Sequence, residues 1–316
     1  MRWIGLVLLS AAVLPGCSKV TRTVSAPIKS FARSLGGHRP NYWERYGKVY
    51  YLDGAGNLGF GQESVPKGLR AAGYRGDIEI ISWTSHTGPL GDQMIRWNAR
   101  RRADELTRKI LDYRRRHPEG EIHIIGLSAG TGVGVWAVEK LPEDVKVDTL
   151  VLLGSSLSTN YDMTRCLRHV RDKVYVLYSP YDMILKSFIP VTGTIDGSYL
   201  VEPAGRAGLF PPSRSRRETI ELYKARLENI PWRSSFERLG NAGGHTDGTN
   251  DRFVKYYIGP RLLKIGAPKR QTPVEEEEEK PVRPATAPHA ATKHPSHLKL
   301  SPTPNPDDRT ETHYFY

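Results

Sequence analysis

The sequence predicts an α/β fold, a three-layer α/β/α sandwich with a mostly parallel sheet. Apolar runs of strand length at residues 48–52, 77–83, 121–127, 147–154 and 173–178 are separated by helical patterns. Most of these runs are nearly continuous in apolar residues rather than alternating, as in strands covered on both faces. In addition, Gly126-Leu127-Ser128-Ala129-Gly130 links one such run directly to a helical pattern at 133–140.

The chain opens with Arg2 followed by about a dozen mostly apolar residues that end in Leu14-Pro15-Gly16-Cys17. That run is too short to span a bilayer and fits the apolar core of a secretory signal. Its ending resembles the lipobox of bacterial lipoproteins, in which the cysteine is lipidated. The expectation is a signal at 1–17 ending at the lipidation site Cys17, then a basic tether at 18–44. An ordinary signal peptide with an incidental cysteine is the alternative. Ser18 follows the cysteine, with no aspartate there to indicate inner-membrane retention.

The globular body is expected over residues 45–265. Its first strand runs into Asp53-Gly54-Ala55-Gly56-Asn57. Glycines after a first core strand let a backbone N–H point at a reacting oxygen at little steric cost. A plain βα turn explains them equally well. A helix at about 62–72 and the strand at 77–83 follow. His86 then stands alone on a loop, as a cleft wall rather than a base. A long helix is expected over about 92–116, with Ala99, Ala103, Leu106, Ile110 and Tyr113 stepping by four and three, and residues 117–120 end it.

Next come the strand at 121–127 and the turn around Ser128. G-x-S-x-G between strand and helix is the context in which a serine hydroxyl is held exposed in strained geometry, with helix N–H groups behind it. The alternative is a Gly/Ser-rich turn without chemistry. Asp182 stands just past the strand at 173–178, on the same sheet edge as Ser128. An acid there can orient a histidine or merely cap the following helix. Residues 183–240 form a long segment with a helix at about 218–228 that is a candidate roof for the cleft. His245 lies on a glycine-rich loop, after a short possible strand at 235–239 and before a helix at about 252–257. Asp247 is a spare acid. From 266 to 316 glutamate, proline and histidine dominate, and disorder is expected.

The net charge is +12, with arginine triplets at 100–102 and 114–116. No nucleic-acid motif accompanies them, so a solvated helix face is expected and no nucleic-acid partner. Cys17 and Cys166 are the only cysteines, which supports neither a disulfide framework nor a zinc site. Cys166 reads as a half-buried packing residue. No metal or other cofactor is expected.

The order Ser128, Asp182, His245, the turn around Ser128 and the succession of strands resemble the α/β-hydrolase family over about residues 45–265. The sheet would be a reduced, cutinase-like one, because too few residues precede Lys48 for the family's opening strands. The resemblance implies a serine nucleophile (Ser128), a base (His245), an orienting acid (Asp182) and an acyl-enzyme. The expected oxyanion donors are the N–H of Ala129 and that of Gly54 or Ala55, although Asp53-Gly54 replaces the family's usual His-Gly. The implied function is an exported, membrane-anchored hydrolase, periplasmic or on the outer surface, that cleaves a small-molecule or lipid ester. Peptidase chemistry shares the triad. A non-catalytic surface lipoprotein that binds a ligand or partner is the rival of a different class, in which the three residues would not converge.

Overall fold

The computed structural model describes residues 41–83 and 96–264. The expectations for the signal, Cys17, His86 and the tail beyond 265 lie outside these residues. The sheet has six strands: β1 (Lys48–Leu52), β2 (Asp77–Ile81), β3 (Ile122–Leu127), β4 (Val147–Leu153), β5 (Val170–Tyr178) and β6 (Leu227–Pro231). Their order is β2-β1-β3-β4-β5-β6 and every pairing is parallel. The chain moves outward from β1 to β2 and then returns to β3 on the other side of β1. The direction of winding therefore reverses between β1 and β3, where open parallel sheets leave a crevice.

Alternation along the strands divides the core in two. Tyr50, Leu52, Ile122, Ile124, Leu150, Leu152, Val174 and Val176 face one layer. Val49, Tyr51, Ile125, Leu127, Val151, Leu153 and Leu177 face the other. The first layer holds α2 (Arg96–Arg116), α3 (Gly130–Glu139), α4 (Thr164–Arg168) and α7 (Arg217–Arg226). The predicted stripe of α2, from Ala99 to Tyr113, is fully buried. The second layer holds α1 (Ser64–Ala71) and a C-terminal helix of α8 (Asp251–Phe253), a π turn (Val254–Ile258) and α9 (Gly259–Leu262). A Cβ on Gly68 would lie 2.6 Å from Asp251 O and Val254 Cβ, so α1 and the C-terminal helix meet backbone to backbone. The remaining helices are α5 (Met183–Thr192) and the short α6 (Ala204–Ala207).

Three expectations need correction. Residues 235–239 are not a strand but part of a 3-10 helix, Ser234–Leu239. The last strand is β6, at the sheet edge, where Glu228, Asn229 and Pro231 obscure the strand signal. The segment 183–240 therefore supplies β6 and the layer helix α7 rather than forming a separate roof. Cys166 is fully buried in the core, not half-buried, and burial raises its thiol pKa well above the ordinary value.

The folded body also begins before residue 45. Tyr42–Tyr46 form a 3-10 turn whose Glu44 is buried. Glu44 pairs with Lys48 at 3.2 Å and with Arg116, and its carbonyl accepts the Tyr113 hydroxyl at 2.8 Å. Lys48 in turn reaches Asp77 at 2.6 Å and Glu79 at 2.7 Å. Burial pushes the Glu44 pKa up, but the Arg116 hydrogen bond and the Lys48 charge outweigh it and hold it at about 2. Because the folded pKa lies below the unfolded one, this stabilisation is present above about pH 4.5 and is lost as pH falls towards 2. Glu44→Gln should lower stability at pH 7 by roughly 3 kcal/mol in urea denaturation, and its difference from wild type should shrink as pH is lowered through this window.

Candidate active site

The register aligns Leu52, Gly126, Leu152, Val176 and Asn229 across the sheet. Asp53, Ser128, Gly154 and Asp182 therefore emerge beyond a single row, at one edge. Ser128 has φ +53°, in the left-handed region that costs a non-glycine residue about 1 kcal/mol or more. The strain is held by specific contacts. Ser128 N donates to Leu153 O at 2.9 Å, and Ser128 O accepts from Thr131 Oγ1 at 2.5 Å and Thr131 N at 3.1 Å. The flanking glycines are required by space. A Cβ on Gly126 would lie 2.8 Å from Thr131 Cα; one on Gly130 would overlap Asp53 O and lie 2.7 Å from Leu52 O.

Asp182 is the N-cap of α5 and does two things at once. Its Oδ1 accepts from Leu185 N at 2.9 Å, while its Oδ2 lies 2.7 Å from His245 Nδ1. Capping and orienting, the two readings left open by the sequence, are thus both present on different oxygens. Asp182 is almost fully buried and the His245 side chain is one-tenth exposed. With Nδ1 donating to the carboxylate, Nε2 is left as the basic nitrogen. The pair sits against Gly154 (φ +48°), where a Cβ would lie 3.2 Å from His245 Nδ1 and 3.3 Å from Asp182 Oδ2. Leu153, the residue before it, carries the carbonyl that binds Ser128 N. Ser128 and the Asp182–His245 pair thus flank one dipeptide. Among the described residues no hydrogen bond joins Ser128 Oγ to His245; such catalytic bonds commonly tighten only when substrate is bound.

The His245 loop is braced from behind. Asp247 Oδ2 accepts from Ala242 N at 3.0 Å and Gly244 N at 2.9 Å, and Asn241 Oδ1 accepts from Gly243 N at 3.0 Å. Asp247 therefore shapes the loop, with no hydrogen bond to His245. A cavity of about 30 Å³ lies beside the pair, bounded also by Ser179, Trp232 and Asn241, and has room for a water molecule.

The loop after β1 is organised by Asp53, which stands where the resembling family usually has histidine. Its buried carboxylate accepts from Gly54 N at 2.8 Å, Gly59 N at 2.7 Å and Gln62 Nε2 at 3.3 Å. Burial raises its pKa above the usual value, against the pull of those donors. Of the two alternatives Gly54 and Ala55, Gly54 N–H is thereby engaged by the Asp53 carboxylate. Ala55 N–H and Ala129 N–H have no acceptor among the described residues. Ala129 is fully buried at the N-terminus of α3, where an unpaired N–H is costly unless something accepts from it. Gly54 touches the serine: a Cβ there would lie 3.3 Å from Ser128 Cβ. Among the described residues no cluster of three or more His, Cys, Asp or Glu could hold a metal ion.

A family model described as alpha/beta hydrolase matches residues 58–191, a span that contains Ser128 and Asp182 and stops short of His245. The architecture of the described residues, six parallel strands between two helical layers, is similar to the fold of that family. Similar solved structures include a dienelactone hydrolase from Anabaena variabilis (16% identity, 69% of this chain and 86% of that chain, TM-score 0.40). An esterase from Pyrococcus furiosus is similar at 10% identity over 70% of this chain and 83% of that one, with TM-score 0.41. An uncharacterized protein from Bacillus cereus is similar at 14% identity and TM-score 0.37; the match covers 67% of this chain and 64% of that protein, under two thirds of its length. No curated protein matches the chain.

Two outcomes follow from these contacts. Gly130→Ala forces α3 away from the end of β1 and should lower stability by about 1–3 kcal/mol in urea denaturation. Asp182→Ala should abolish the low-field Nδ1 proton resonance of His245 in NMR spectra and cost about 1 kcal/mol through loss of the α5 cap.

Proposed function

We propose that the chain is a serine hydrolase that cleaves an ester or related acyl bond through Ser128, His245 and Asp182. The observation that carries this is the 2.7 Å contact between His245 Nδ1 and Asp182 Oδ2, beside a serine held at φ +53° on the elbow. Ser128 Oγ attacks the carbonyl carbon while His245 Nε2 takes its proton. The oxyanion that forms accepts from Ala129 N–H and Ala55 N–H at the positive end of α3. On collapse, His245 returns the proton to the departing alkoxide and Ser128 keeps the acyl group. Water, deprotonated by the same nitrogen, then releases the acid and restores the hydroxyl. Asp182 holds the tautomer and stabilises the imidazolium that forms.

An acyl substrate is favoured by the residues next to the acid: Met183 is 59% and Ile184 50% exposed, an apolar border at the catalytic edge. The address proposed for this activity is extracytoplasmic, with lipidated Cys17 as the anchor and residues 18–41 as the tether. The arginine-preceded apolar run ending in Cys17 supports it. No helix among the described residues is long and apolar enough to cross a membrane. A purely binding lipoprotein is disfavoured because Asp182 and His245 touch and share the Leu153–Gly154 turn with Ser128.

Wild type should react covalently with a fluorophosphonate probe, and Ser128→Ala should not. Ser128→Ala and His245→Ala should each lower kcat on a simple aryl ester by about 10⁴–10⁶, with little further loss in the double variant because the residues act as a unit. Equal labelling of wild type and Ser128→Ala would refute the assignment.

A further inference from the structure

The edge of the sheet opposite the catalytic residues carries a surface that the hydrolase reading leaves unexplained. In the turn Tyr42–Tyr46 only Glu44 faces inward. Its burial against Lys48 and Arg116 forces the other side chains out, leaving Tyr42 60%, Trp43 48% and Tyr46 46% exposed. The rings touch edge-on or tilted, with centroids 5.3 Å (Tyr42–Trp43), 6.2 Å (Tyr42–Tyr46) and 6.3 Å (Trp43–Tyr46) apart. The Arg45 guanidinium lies 3.7 Å over Tyr42 and 5.2 Å from Tyr46. Rings with polar tips, interleaved with a cation that stacks on them, have the chemistry of the bilayer interface, where tyrosine and tryptophan concentrate.

The position of the turn selects the occupant. It lies directly after the N-terminal segment that carries the apolar run and Cys17. It precedes the start of β1, Asn41 Nδ2 bonds Asp77 at the start of β2, and Glu44 bonds the last turn of α2. All of these lie at the N-terminal ends of the strands, whereas Ser128, Asp182 and His245 lie at the carboxyl ends, about 20 Å away along β3. We propose that Tyr42, Trp43, Arg45 and Tyr46 dock on the interfacial region of a phospholipid bilayer and hold the catalytic edge facing away from it. This rests on the proposed anchor at Cys17. About two dozen residues separate Cys17 from the turn, at most about 80 Å of chain, so the anchor keeps the patch close to the surface at a high effective concentration. A weak interfacial contact is then enough to orient the domain. The substrate would come from the aqueous side or an opposing structure rather than from the anchoring leaflet.

Tryptophan quenching tests the orientation. The full chain, purified from the membranes of a host that acylates lipobox cysteines, is placed in phosphatidylcholine–phosphatidylglycerol vesicles whose acyl chains are brominated near the headgroup. Trp43 marks the docking edge, and Trp97, 67% exposed in the first turn of α2, marks the catalytic edge. Quenching of the vesicle-bound wild type should be lost in Trp43→Phe and retained in Trp97→Phe. The reverse pattern would show that the catalytic edge faces the bilayer and would overturn the proposal. Co-flotation without quenching of Trp43 would overturn the docking patch and leave the anchor and the triad standing. A chain that does not float with vesicles at all would remove the anchor and this inference together, while fluorophosphonate labelling would still report on the triad.

Discussion

The site depends on one close approach, the packing of the start of α3 against the end of β1. Gly130 lies so near Asp53 O and Leu52 O that no Cβ fits between them. That contact sets how sharply the chain turns after β3, and the turn forces Ser128 to φ +53°. It also brings the loop after β1 beside the serine, because β1 and β3 are neighbours at the point where winding reverses. The Asp53 carboxylate then fixes the path of that loop through Gly54 N–H and Gly59 N–H. The geometry of Ser128 and that of the loop after β1 are two consequences of the same helix–strand contact.

The Asp182–His245 half of the site depends on a second economy of space, at Gly154. With φ +48° and no Cβ, this residue lets the His245 ring and the Asp182 carboxylate lie against the end of β4. Asp182 divides its oxygens between the α5 amide and His245, so the cap that starts the helix also fixes the carboxylate that meets the imidazole. Residues behind the loop, Asp247 and Asn241, hold backbone amides rather than the ring. His245 is therefore placed by backbone contacts on one side and by a single carboxylate on the other.

Much of this was legible in the sequence because it is written in local patterns. The elbow shows in Gly126, Ser128 and Gly130, and the buried side of α2 shows in the spacing from Ala99 to Tyr113. Asp182 could be placed because a residue just past an apolar run in a parallel sheet falls on the shared carboxyl edge, and its partner His245 because its loop is rich in glycine. What stayed hidden depends on distant contacts. Glu44 looks like part of a polar tether until Lys48 and Arg116 close on it. β6 is an edge strand with Glu228, Asn229 and Pro231, and only pairing with β5 makes it a strand. That Gly54 N–H would donate to its own neighbour Asp53, leaving Ala55 and Ala129 as amides with no acceptor among the described residues, follows from loop geometry that no spacing records.

The central claim, that Ser128 carries the acyl group in turnover, is tested most directly by trapping the intermediate. Wild-type protein mixed with an aryl ester, quenched in acid within the first turnovers and digested, should yield a peptide spanning Ser128 that is heavier by one acyl group, and the increment should localise to the serine. An adduct that localises elsewhere, for instance to Ser155 or Ser156, or hydrolysis that proceeds with no acylated peptide at any quench time, would contradict the account.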